Sequence, residues 1–150
     1  VEKISVAPRK WLLTLHLLFS AIMLGNAVAF LILSLTAAAV HDAEALKATY
    51  ASMHVLARTS VRASTIGAVV TGVLLSVLTR WGLFRFYWII AKEALAIVAI
   101  GLGPFGMYFW TLKAGSSWQL WSGIVVQILT LASLFVISVF KPWGQRQRKN

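Results

Sequence analysis

The chain has no cysteine, only four acidic residues and only three histidines in 150 positions. Without cysteine there is neither a disulfide framework nor a thiolate metal site, and the composition carries no signal of redox compartment. The scarcity of Asp and Glu against 14 Lys and Arg leaves a formal charge of +10, which raises the question of nucleic acid. Placement excludes that class, because the cations cluster between apolar runs, whereas nucleic-acid binding needs a basic patch on a water-soluble surface. Low-complexity tracts and linkers are also missing, so residues 1–150 read as a single domain. What the chain has in excess is apolar character. Hydrophobic residues make up 59% and the mean hydropathy is +0.81. Both are far outside the soluble range, so the chain reads as an integral membrane protein with the lipid bilayer as its first partner.

A bilayer core about 30 Å thick takes roughly 20 apolar residues of helix to cross. Four segments meet that length, at about 11–36, 55–78, 87–110 and 118–140. The expected fold class is therefore all-α, an integral membrane four-helix bundle. The first run is about twice the ~7–15 residues of a signal-peptide core. Its "TAAAV" at 36–40 is accordingly read as part of a retained span, and Val1 in place of an initiating Met leaves processing of the amino terminus open. Asp42 can cap a helix start, and "AEALKATYASM" is rich in helix formers, which extends the second helix ahead of the membrane. In "GLGPFG", 101–106, Pro104 removes a backbone donor, and the third helix is expected to kink there.

Lys and Arg beside the spans set the orientation. Nine of them fall at the amino end (Lys3, Arg9, Lys10), the second connection (Arg80, Arg85) and the tail (Lys141, Arg146, Arg148, Lys149). The other two connections hold only Lys47 and Lys113. Both termini are expected in the cytoplasm, as an even number of spans also requires. Trp11, Trp81, Trp88, Trp118, Trp121 and Trp143 fall near span ends, where amphipathic rings sit at headgroup level. Lys141, Pro142 and "GQRQRKN" read as a helix stop and a solvated basic tail that can touch anionic lipid.

A charged group in mid-bilayer costs a few kcal/mol or more, so each one inside a span needs a partner or a task. The orientation puts His16, Lys92 and Glu93 at similar depth in the inner half. It puts His54, Arg58 and Arg62 in the outer half, with His41 at the outer surface. The outer three share a helix face at i, i+4 and i+8 that continues through Thr65, Gly72 and Ser76. They read either as cations snorkelling to headgroups, with Arg62 bonded to carbonyls freed by the kink, or as a clamp for an anionic group. The inner three read either as a snorkelling lysine, a neutral or paired glutamate and a helix-bonded histidine, or as a cofactor site inside the bundle. His16 and His54 lie too far apart to share a metal ion. Haem b asks less: one or two axial ligands, an apolar slot and cations for its propionates. His16 is then the candidate iron ligand, with a second from Lys92, from nothing, or from the symmetry mate in a homodimer. An outer site at His54 or His41, with Arg58 and Arg62 holding propionates, is the competing arrangement. Gly25, Gly67, Gly72 and Ala37 to Ala39 read as close-packing positions, and Asn26 and Gln127 as interhelical hydrogen-bonding residues, bonded to each other or to neighbours, rather than as cavity lining.

"LHLLFSAIMLGN" at 15–26, "RASTIGAVVTGVLLSVLTRWG" at 62–82 and "FYWIIAKEAL" at 86–95 together resemble a group of small bacterial inner-membrane helix bundles. It includes an uncharacterised four-helix family, the copper-resistance D membrane domain and the J-type protoporphyrinogen oxidase. The matching features are His16 followed by Gly25, then Thr71, Gly72, Leu74 and Leu75, then Lys92. The resemblance implies a multi-pass protein of a bacterial-type inner membrane, with His16 and Lys92 as haem-site residues. The chain departs from the group at Met23, where relatives often carry Trp, and the far-end histidine of the oxidase's third helix has no match. Copper transport lacks its Met/His-rich run or Cys ligand. Three functions are thus expected in order: a haem b protein in electron transfer or haem handling, a non-enzymatic scaffold or binder of an anionic small molecule or lipid, and a porphyrinogen oxidase.

Overall fold

The computed structural model describes residues 4–79, 82, 84–112 and 118–142. The expectations attached to Lys3, Arg80, Trp81, Lys113, Trp143 and the basic tail lie outside them. The elements are α1 (Val6–Ala39), α2 (Ala43–Leu56), α3 (Arg62–Leu78), α4 (Tyr87–Ile100), α5 (Tyr108–Leu112) and α6 (Trp118–Phe140). A π-helical turn at Ala57–Val61 joins α2 to α3, and a second at Gly101–Met107 joins α4 to α5. Four continuous helices are thus long and apolar enough to cross a membrane: Val6–Ala39, Ala43–Leu78, Tyr87–Thr111 and Trp118–Phe140. This is the expected all-α four-helix bundle of a multi-pass membrane protein.

Local chemistry explains the boundaries. The Asp42 side chain accepts the Ala45 N–H at 2.8 Å, so α2 begins where the cap was expected, well ahead of the apolar part of its span. In the third span Pro104 has no N–H for the carbonyl four residues earlier. The expected break therefore takes the form of a lengthened i→i+5 register over Gly101–Met107, a local adjustment that re-pairs freed carbonyls within lipid. The first π turn, at Ala57–Val61, has no proline and was not expected.

The distribution of polarity is the reverse of a soluble bundle. Asn26, Ser34, Ser64, Thr65, Thr71, Thr111, Gln127 and Thr130 are buried, while Leu18, Ile32, Ile66, Ile97, Leu129 and Val139 are exposed. Lipid supplies the contacts for the second group, while many of the first bond to a neighbouring helix or to a carbonyl of their own span. The apolar core around Phe30, Met53, Ala57, Leu120 and Ile124 fills the half of the bundle away from the termini. At the opposite end the Ile4 N–H donates to Leu78 O at 3.3 Å. Lys92 from α4 and Lys141 after α6 both lie within 6 Å of the Trp88 ring. The start of α1, the end of α3, the start of α4 and the end of α6 therefore share one basic end, which also carries Arg9, Lys10 and Arg85.

Trp88 is a correction. It is 8% exposed and packs inside the bundle, whereas Trp11 and Trp118 stand out at 72% and 77%, as headgroup anchors do. The closest helix pairing is α1 with α3, and glycine permits it: a Cβ at Gly67 would meet the Phe19 ring at 2.5–2.6 Å. Gly123 likewise receives the Trp110 ring. Gly25, expected to act the same way, has open space within 4 Å of where its Cβ would stand and faces outward. Gly67→Ala should therefore destabilise the bundle by about 1–3 kcal/mol through overpacking. Gly25→Ala should be neutral or stabilising by up to about 1 kcal/mol through helix propensity. Equilibrium unfolding in mixed micelles, compared for the two variants, checks the contrast.

Candidate functional site

His16 sits on α1 where it faces α3. Its Nδ1 lies 3.0 Å from Ala68 O and 2.9 Å from Thr71 Oγ1. A carbonyl oxygen only accepts, and the Thr71 hydroxyl already donates to Gly67 O at 2.6 Å. Both neighbours therefore present lone pairs, and Nδ1 must carry the proton. The neutral ring is fixed as the Nδ1–H tautomer, with Nε2 left as a base or ligand. Gly72 makes room for the ring, since a Cβ there would stand 3.1 Å from His16 Cε1. A histidine whose one nitrogen is tied to a carbonyl while the other is available has the arrangement common to metal-ligating imidazoles.

Of the two other residues expected at this level, Lys92 sits on α4 at the basic end of the bundle. Its ammonium also lies 5.8 Å from the centre of the Trp88 ring. Among the described residues, no hydrogen bond joins Glu93 Oε1 to that group. Its Oε1 is buried with no hydrogen-bond partner in the protein. Trp88 and Lys141 enter this cluster although composition and spacing pointed only to an anchor and a helix stop.

At the other end the expected outer triad divides. His54 stacks on Tyr108 with ring centres 4.8 Å apart and has Nδ1 3.4 Å from Thr111 Oγ1. Arg62 lays its guanidinium 4.5 Å from the centre of the same Tyr108 ring, instead of bonding to carbonyls freed at Pro104. The π turn at Ala57–Val61 lies between these two residues and changes their relative rotation, because it holds more residues per turn than an α-helix. Arg58, inside that turn, is exposed and joins neither. His54 and His16 lie roughly 20 Å apart along the bundle at 1.5 Å per residue, so the two ends are separate sites. Among the described residues, no three His, Cys, Asp or Glu come together as a metal site.

Between the two ends, Asn26 binds α3 and the turn before it: its Oδ1 accepts from Ser60 Oγ at 3.0 Å, and its Nδ2 donates to Ser64 Oγ at 3.4 Å. Gln127 Nε2 donates to Ala99 O at 3.2 Å. Both do serve as interhelical bonds, but to these partners, and both also line a small cavity, contrary to the expectation that they would not. Tyr108 and Thr111 were missed because an aromatic and a threonine in an apolar helix carry no spacing signal. Only the helix-to-helix docking makes them partners of His54.

The tautomer of His16 can be observed directly. In nitrogen-15 spectra of the protein in nanodiscs, the neutral imidazole should show a protonated Nδ1 and an unprotonated Nε2, and Thr71→Val should weaken that preference. The opposite tautomer would contradict the assigned bonding. Compared with protein-family models, curated proteins and solved structures, the chain matches none of them.

Proposed function

We propose that this chain is a haem b-binding membrane protein acting in electron transfer or haem handling, with His16 as an axial ligand through Nε2. The observation that carries this reading is the Nδ1 bond to Ala68 O, which orients the ring, fixes its tautomer and raises the basicity of the other nitrogen. Thr71 and Gly72 serve the same end, one by bonding the ring and the other by giving it space. Lys92, on α4 at the basic end beside Trp88, is the candidate partner for a propionate. Haem bound there would supply one-electron chemistry.

The donor set fits the group, and the packing limits where it can lie. The cavity lined by Asn26, Thr65 and Gln127 is about 20 Å³, room for a water and not for a macrocycle. A haem held by His16 would have to lie outside that cavity, against lipid or a second copy of the chain. A homodimer would supply a second imidazole by symmetry. The basic end carrying Arg9, Lys10, Arg85 and Lys141 belongs in the cytoplasm of a bacterial-type cell by the positive-inside rule, with the rest of the bundle in the inner membrane.

Protein purified in detergent after expression with a haem precursor should show a Soret band and reduced α and β bands. His16→Ala should abolish them, and Arg62→Ala should leave them unchanged. Thr71→Val should weaken haem affinity about 10–100-fold, the range for loss of a partner behind a ligand. A colourless wild-type preparation would overturn the proposal.

One set of contacts favours a second reading, a non-enzymatic binder of an anionic small molecule or lipid at the opposite end. Arg62 is held against Tyr108 beside His54, which orders a guanidinium fork for a carboxylate or phosphate. Here loss of copurifying anionic lipid in Arg62→Ala, with no effect of His16→Ala, is the expected outcome, and retention of that lipid would count against it.

A further inference from the structure

The cavity midway along the bundle receives residues from all four spans: Asn26 from α1, Thr65 from α3, Gly103 from the second π turn and Gln127 from α6. Val61, the last residue of the first π turn, lies against it as well, so the two π turns meet across this space. Two of the lining side chains have unmet polar atoms. Thr65 is 3% exposed and Gln127 is 4% exposed, yet Thr65 Oγ1 and Gln127 Oε1 have no hydrogen-bond partner in the protein.

The reasons are local. Thr14, Thr36 and Thr71 each donate their hydroxyl to the carbonyl four residues earlier. For Thr65 that carbonyl belongs to Val61, the last residue of the π turn, and no such bond is made. Gln127 has committed Nε2 to Ala99 O, which leaves Oε1 to accept elsewhere. Gly103 keeps the space from closing further, since a Cβ there would stand 3.2 Å from Gln127 Nε2 and 3.4 Å from Val61 Cγ1.

We propose that this cavity is a binding site for a single water molecule, held by Gln127 Oε1 and Thr65 Oγ1. A volume of about 20 Å³ suits one water, and within a mostly apolar lining the unmet Gln127 Oε1 and Thr65 Oγ1 supply the polar partners that a buried water needs. The water donates to Gln127 Oε1 and exchanges a second hydrogen bond with the Thr65 hydroxyl, while the Asn26 amide is the next polar group in the lining. A monovalent cation fits less well. No carboxylate lines the space to offset its charge, and Asn26 Oδ1 is already accepting from Ser60 Oγ. Too few oxygens remain to replace a hydration shell. The water thus joins α3 to α6 at the level where both broken spans change register, a role independent of any cofactor at His16.

The test is magnetisation transfer from water to the Gln127 side-chain amide protons, measured on the full chain in nanodiscs. A cross peak is expected in the wild type and should fall to the noise in Thr65→Val, which keeps the shape of the side chain and removes the hydroxyl. The wild-type spectrum decides even if that variant fails to fold, because absence of the cross peak overturns the proposal. An undiminished cross peak in folded Thr65→Val also overturns it. So do Gln127 and Thr65 shifts that titrate with sodium or potassium, which would put an ion in the site.

Discussion

The close approach of α1 to α3 is the constraint on which the rest of this bundle depends. Lipid offers no hydrogen bonds, so a polar side chain in a spanning helix has to find its partner within the protein, and one that is not a short hydroxyl reaching its own backbone looks to a neighbour. Along this seam the partners are supplied at two depths: Asn26 between Ser60 and Ser64, and His16 between Ala68 and Thr71. Both sets need backbones near enough for short side chains to reach across, and the bare Cα atoms of Gly67 and Gly72 provide that nearness. The imidazole is thus a product of packing as much as of sequence. Moved away from α3, it would lose its tautomer together with its orientation.

The rest of the bundle divides into two ends of different character. Away from the termini, large apolar side chains such as Phe30, Met53 and Ile124 pack into a continuous core, and His54, Arg62 and Tyr108 sit at its margin. Toward the basic end the interior relies more on hydroxyls, glycine and one buried indole, with ammonium groups around it. A tight core favours a rigid scaffold, whereas a half-buried imidazole toward the basic end is better placed for exchange with something outside the bundle.

Much of this was legible from the residues. Spans, the Asp42 cap and the break at Pro104 follow from rules that act over a few residues, and each emerged close to where those rules put it. That His16 and Lys92 both lie toward the basic end could also be read, because alternating direction and helix rise convert sequence position into depth. Facing relations could not. Whether Trp88 anchors in headgroups or fills the interior, whether Arg58 follows His54 and Arg62, and whether Gly25 touches a neighbour all depend on how helices dock. The turn at Ala57–Val61 also escaped notice because "ARTSV" contains neither proline nor glycine, and an extra residue per turn leaves no trace in apolar spacing.

That turn has a consequence for how the chain can vary. A π turn amounts to one residue more than an α-helix needs for the same advance. Deleting a single residue within Ala57–Val61 would let the helix rewind to the α register, with α2 and α3 keeping nearly the same relative orientation. The carbonyl and hydroxyl that grip the imidazole lie beyond that point, while the Tyr108-facing histidine lies before it. A one-residue deletion in the turn would therefore be absorbed there, leaving the two ends of the molecule in their present relation.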